Sequence, residues 1–98
     1  MIVNRREYNV SMMINGQIIN KVIIDPHYEV KHASTVTDEI ILELVRTLNG
    51  SEVQPDALDE SFSYFVSDGI EYQGKAYKLI WLLEDHQIYI GVINAYRR

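Results

Sequence analysis

Between residues 25 and 32 the chain reads Asp25-Pro26-His27-Tyr28-Glu29-Val30-Lys31-His32, which gathers two of its three histidines, a lysine and a tyrosine. Asp can accept from the free N–H groups of a helix start, and Pro loses nothing at the first helical position. The spacing predicts a short helix over 26–33. In such a helix His27 and Lys31 lie four apart on one face, and Tyr28 and His32 lie four apart on the next. Imidazoles titrate near neutrality, so two of them in a turn and a half offer a general base and a general acid. Lys31 offers a charge to hold an anion.

A second group closes the sequence: Asn94-Ala95-Tyr96-Arg97-Arg98. If a strand ends here, its last side chains leave the sheet edge as a phenol and two guanidinium groups. A histidine base, a lysine, an arginine and a tyrosine together are the groups that metal-independent RNA cleavage needs. The base takes the 2′-hydroxyl proton, the cations hold the charged phosphorane, and an acid protonates the leaving 5′ oxygen. His27, His32, Lys31, Tyr96 and Arg97 are therefore the candidate catalytic residues. His86 sits in a polar turn. His27, His32 and His86 lack the acid partners a zinc site would want, so neither metal nor cofactor is expected. Glycine-rich phosphate loops, HExxH and G-x-S-x-G are all absent.

These groups need elements to hold them. Tyr8, Val10, Met12 and Ile14 alternate with Asn9, Ser11 and Met13 up to Asn15-Gly16, and Gln17 to Ile24 continues as an apolar-rich run. Asn-Gly between two such runs is a hairpin turn, which requires positive φ. Residues 1–24 are expected to form that hairpin, ended by Pro26. Thr35-Val36-Thr37-Asp38 is a helix start, and Ile40, Ile41, Leu44, Val45 and Leu48 form one apolar stripe over 37–48 before the Asn49-Gly50 stop. Residues 51–60 hold four acids and no base and read as a solvated loop. Ser61 to Tyr72, Lys75 to Leu83 and Ile88 to Tyr96 then read as strands, with a turn or bulge at Ser67-Asp68-Gly69 and a turn at Gln73-Gly74. The expected fold is a single α+β domain over 1–98. It has an N-terminal hairpin, a short and an amphipathic helix, and a three-stranded antiparallel meander, with the helices on one face of the sheet.

Composition narrows the class. A 98-residue chain, 47% hydrophobic, suits one small core. Without cysteine there is no disulfide framework, thiolate site or cysteine nucleophile. No apolar run approaches a bilayer span and no signal pattern leads the chain, so a cytoplasmic location with no membrane partner is expected. The net charge of −5 argues against broad non-specific nucleic-acid binding.

Over roughly residues 26–98 the pattern resembles the small RelE-type ribonuclease toxins, especially their BrnT-like branch. The likeness is carried by Lys31-His32 with His27 upstream, the helix start Thr37-Asp38-Glu39-Ile40, the strand Lys75-Ala76-Tyr77-Lys78-Leu79, and the ending Ile93-Asn94-Ala95-Tyr96-Arg97-Arg98. The resemblance implies an endoribonuclease of a toxin–antitoxin pair. Its partners would be RNA and a cognate antitoxin, with His32 and Lys31 near the scissile phosphate and Tyr96 and Arg97 opposite. The acidic balance, and Leu79-Ile80-Trp81-Leu82 where that family is arginine-rich, point to a second reading. That reading is a non-catalytic accessory factor or inhibitor whose acidic surface binds a basic protein. Either protein would be a monomer, or a homodimer paired through a strand of the hairpin.

Overall fold

The structure is a computed structural model describing residues 5–98. Two strands, β1 (Arg6–Ile14) and β2 (Gln17–Ile24), form a hairpin about Asn15 and Gly16, both at positive φ (53° and 73°). Residues 1–4 of the expected hairpin lie outside the described residues. A 3-10 turn (Pro26–Tyr28) runs into a single helical turn, α1 (Glu29–His32), and then α2 (Asp38–Arg46) follows. The rest is β3 (Ala57–Asp59), β4 (Phe62–Tyr72), β5 (Lys75–Glu84) and β6 (Tyr89–Arg97).

This corrects the expected α+β architecture. Strands take 53% of the described residues and helices 17%. All six strands belong to one mixed, curled sheet, in the order β1-β2-β6-β5-β4-β3. There is no separate three-stranded meander under an amphipathic helix. The last strand crosses back and pairs with β2 in parallel, Lys21 opposite Tyr89 through Ile24 opposite Val92. A parallel join has no tight turn to announce it, because its two strands are far apart in sequence. The acidic stretch also differs from the expected loop. Its Ala57–Asp59 pairs with Phe62–Tyr64 and forms one edge of the sheet.

The core lies on one face of this sheet. Ile14, Ile19, Val22, Ile24, Leu79, Trp81 and Ile90 are fully enclosed there, together with Ile41, Leu44 and Val45 of α2. Thr37 caps α2 by accepting from the Ile40 N–H at 3.2 Å, so the helix begins later than the start signal suggests. Phe65 and Trp81 are direct cross-strand partners, and their rings stack at 4.1 Å. The Trp81 indole N–H donates to Ser67 Oγ at 2.9 Å, so the buried ring leaves no polar atom unpaired.

The β1 edge is covered where pairing with another strand would begin. Gly50 N–H donates to the Met13 carbonyl at 2.7 Å, Asn49 Oδ1 accepts from Met13 N–H at 3.0 Å, and Asn15 N–H donates to the Ser51 carbonyl at 2.9 Å. The loop after α2 thus occupies the ladder positions of Met13, at the turn end of β1.

Trp81→Ala is expected to cost about 3–5 kcal/mol, a large share of the roughly 5–15 kcal/mol that holds a domain together. Trp81→Phe keeps the stack but leaves Ser67 without its donor, and should cost only about 1 kcal/mol. Urea unfolding followed by far-UV circular dichroism measures both, and equal losses would contradict the packing described.

Candidate functional site

The parallel pairing sets the position of His32. β2 ends at Ile24, opposite Val92, while β6 runs on to Arg97. The chain leaving β2 is held at once: Asp25 N–H donates to the Val92 carbonyl at 3.0 Å, and Asp25 Oδ1 accepts from His27 N–H at 2.8 Å. The 3-10 turn and α1 therefore lie beside the C-terminal half of β6, in the lane that β2 vacates. The His32 carbonyl accepts from Thr35 and Val36 N–H at 3.0 and 2.9 Å, which closes α1.

In this position the His32 ring stacks on Tyr96, centroids 5.1 Å apart and planes 26° apart. Lys78, the β5 partner of Tyr96, brings Nζ to 5.8 Å from the same ring's centroid, within the range of a cation–π contact. An imidazole, a phenol and an ammonium thus form a row from α1 across β6 to β5. The row lies on the sheet face opposite the core, since Tyr77 and Leu79 on either side of Lys78 are buried. Neither Lys78 nor Lys31 has a carboxylate partner within 4 Å among the described residues, whereas Arg6, Lys21, Arg46 and Arg98 do.

The other expected residues do not join this row. Lys31, beside His32 on α1, is exposed, and His27 is exposed on the preceding 3-10 turn. Arg97 is opposite the buried Tyr77, so it leaves β6 on the core side of the sheet, one face away from Tyr96. Arg98 pairs with Asp68 at 3.1 Å. His86 is exposed in a turn at φ 63°. Among the described residues no group of three or more His, Asp or Glu could hold a metal ion.

Lys78 was missed as a site residue in the sequence reading. The signal was available: it is the lone polar residue amid the apolar run of a central strand. Also missed was a groove of about 250 Å3 further along the same face, lined by Phe62, Tyr64, Leu82, Tyr89 and Arg5 among others. Its floor is Gly91, where an added Cβ would fall 2.9 Å from Leu82 Cδ1. The Tyr89 hydroxyl donates to Glu84 Oε1 at 2.6 Å, and burial together with that bond pushes the phenol up to about 12.

A third constellation holds the site's support. Asp38, the first residue of α2, accepts from Arg6 (2.5 and 2.9 Å), from the Tyr8 hydroxyl at 2.5 Å and from the Tyr28 hydroxyl at 2.7 Å. Arg6 also reaches Glu29 of α1 at 3.2 Å. One carboxylate thus joins β1, the 3-10 turn and α2, and it fixes the segment that carries His32. Burial alone would raise the Asp38 pKa; the bonds from Arg6, Tyr8 and Tyr28 outweigh it and hold the carboxyl at about 2. Tyr28 is raised by burial and by Asp38, and Tyr8 chiefly by its bond to Asp38. Its donors are consumed within the cluster, so this is a clamp and not a reaction centre.

Fold and site together define a small, mainly β protein with a histidine-tyrosine-lysine row on the open face of its sheet. Comparison with family models, curated proteins and solved structures gives no match. Among the described residues no helix is long and apolar enough to cross a membrane.

The Asp38 clamp predicts a definite acid response. The carboxyl sits at about 2 in the folded state against an ordinary 3.8. Its contribution is therefore complete above the ordinary value and is lost as pH falls through the folded one. Asp38→Asn should destabilise the protein by about 1–3 kcal/mol at pH 7, and the gap to the parent should narrow below pH ~4. Urea midpoints compared at pH 7 and pH 3 read this out; a gap that widens in acid would contradict the assignment.

Proposed function

We propose that the protein is a small metal-independent endoribonuclease of the RelE-like toxin type, with its reaction centre at His32. The reading is supported above all by the convergence of His32, Tyr96 and Lys78, residues far apart in sequence, on one exposed sheet face. Their types match the reaction. His32 takes the proton of a 2′-hydroxyl, and that oxygen attacks the adjacent phosphorus. Lys78 and the neighbouring Lys31 stabilise the charge that develops on the phosphoryl oxygens. Tyr96 donates its proton to the departing 5′ oxygen, and afterwards the imidazolium gives its proton to water and the phenolate takes one from water. The products are a 2′,3′-cyclic phosphate and a 5′-hydroxyl. Arg97, on the other side of the strand, is left for binding at the rim, and His27 has no role in the step.

The acidic edge favours a second, compatible reading. Asp56 and Glu60 flank β3, which itself carries Asp59 and a Leu58 that is 72% exposed. An apolar side chain amid carboxylates suits a basic protein partner, such as a cognate antitoxin or another regulator.

Incubation of the purified protein with a mixed single-stranded RNA pool in EDTA should give cyclic-phosphate ends. His32→Ala should slow cleavage by roughly 100-fold or more, and Lys78→Ala by about tenfold or more. In cells, expression of the parent should arrest growth and His32→Ala should not. Failure of the parent to cleave, or cleavage unchanged in His32→Ala, would remove the proposal.

A further inference from the structure

We propose that the groove lined by Tyr64, Tyr89 and Arg5 is a binding site for one unpaired RNA base and its phosphate, flanking the bond cut at His32. The inference rests on the ribonuclease reading and names its substrate class, single-stranded RNA held across the open sheet face.

The first argument is one of placement. Gly91, on the groove floor, and Tyr96 are five residues apart, and in an uninterrupted strand they would face opposite ways. They do not, because the β5–β6 register shifts. Ile80 is opposite Asn94 and Trp81 is opposite Val92, which leaves Ile93 as an extra, bulged residue. The bulge puts the groove and the His32 row on one face. They are separated along β6 by on the order of 15 Å, a gap that a few nucleotides of extended strand cover.

The second argument concerns the lining. Phe62, Tyr64 and Tyr89 are half-buried, and Gly91 lets Leu82 pack directly against the floor, where an added Cβ would meet it at 2.9 Å. Because Glu84 fixes the Tyr89 hydroxyl, that ring is an ordered surface. At about 250 Å3 the groove is smaller than most drug-sized ligand sites, and it admits a single heterocycle. Arg5 at its mouth has no carboxylate within 4 Å among the described residues. A guanidinium beside aromatic rings is matched by a base carrying a phosphate, since every base has a face to stack and every nucleotide an anion to hold, and Asp25, which also lines the groove, offers an acceptor to a base N–H. A duplex would keep its bases stacked inside and present none to the groove.

The test uses the full chain carrying His32→Ala, so that RNA is bound and not cut, and a fluorescein-labelled RNA decamer of mixed sequence read by anisotropy. The single strand should bind about tenfold or more tightly than the matching duplex. Tyr64→Ala should weaken it by about fivefold to 100-fold, and Arg5→Ala should weaken it and reduce the salt dependence. Arg5 is exposed, so its variant tests the groove even if Tyr64→Ala fails to fold. Two results overturn the proposal: RNA binding unchanged by either substitution, or a groove shown by sedimentation to be buried between two copies of the chain that Tyr64→Ala separates. RNA cleavage by the parent, with decamer binding indifferent to Tyr64 and Arg5, removes the groove and leaves the nuclease. Groove-dependent binding with no cleavage by the parent removes the nuclease and leaves an RNA-binding face.

Discussion

The parallel pairing of β2 with β6 is the constraint on which the rest of the structure depends. It joins the hairpin to the C-terminal strands and makes one six-stranded sheet out of two pieces. Neither piece could bury its apolar face alone: Ile19, Val22 and Ile24 from the hairpin meet Ile90, Val92 and Trp81 from the other strands, all under α2. The same pairing also creates the site. Because β2 stops and β6 continues, the chain after Ile24 must run alongside β6, and that lane leads His32 to Tyr96. Fold and candidate chemistry therefore share a cause, which is why the chemistry-bearing residues lie next to the strand join and not in a loop remote from it.

Local rules made part of this legible in the sequence. The hairpin was readable because Asn15-Gly16 adopts the positive φ values that its turn needs, and α2 because its apolar stripe and Asn49-Gly50 stop agree, although its cap is Thr37 and not Thr35 of the start signal. The bulge at Ser67-Asp68-Gly69 was readable as one of two options, Gly69 being at φ 73°. What escaped was non-local. A parallel partner leaves no turn residue in the sequence. The β3 edge strand hid in an acidic stretch because its three residues are held by backbone pairing with Phe62–Tyr64 and all remain exposed.

The site was legible in kind but not in full. Residue type and position at the strand end pointed to His32 and Tyr96, and the structure brings them into contact. Arg97 was included on adjacency, but strand alternation sends neighbours to opposite faces, so Tyr96 and Arg97 cannot both line one surface. Lys78 stood out as the lone polar residue in an apolar run, but its partner did not: its pairing with Tyr96 depends on the β5–β6 register, which the bulge at Ile93 shifts in a way no periodicity in the sequence shows. The groove escaped for the same reason: its lining comes from several strands and from Arg5, at the chain's other end. The Asp38 clamp joins residues about thirty positions apart. Only its capping context was local.

For the proposed ribonuclease, holding an anion on an acidic body requires cations that are grouped locally and not neutralised by contact with carboxylates. Asp56, Asp59 and Glu60 lie at the β3 side of the sheet, and β3 is at the far edge from β1, whereas Glu52 sits at the β1 side, between Ser51 and Val53, which both bond to Asn15. Other acids are tied to cations: Glu7 to Lys21, Glu29 and Asp38 to Arg6, Glu43 to Arg46, Asp68 to Arg98. The cations left without such partners among the described residues include Arg5 and Lys78, both on the open face, and Lys31 next to His32. Exposed charges beyond about 10 Å are largely screened at ordinary salt, so in the proposed site an incoming phosphate would respond to these few, and to Asp25, which shares the groove with Arg5, more than to the net charge of −5. The overall balance thus disfavours indiscriminate binding along a polyanion while leaving a short cationic track on one face. That combination suits a protein that takes hold of a few nucleotides at a time.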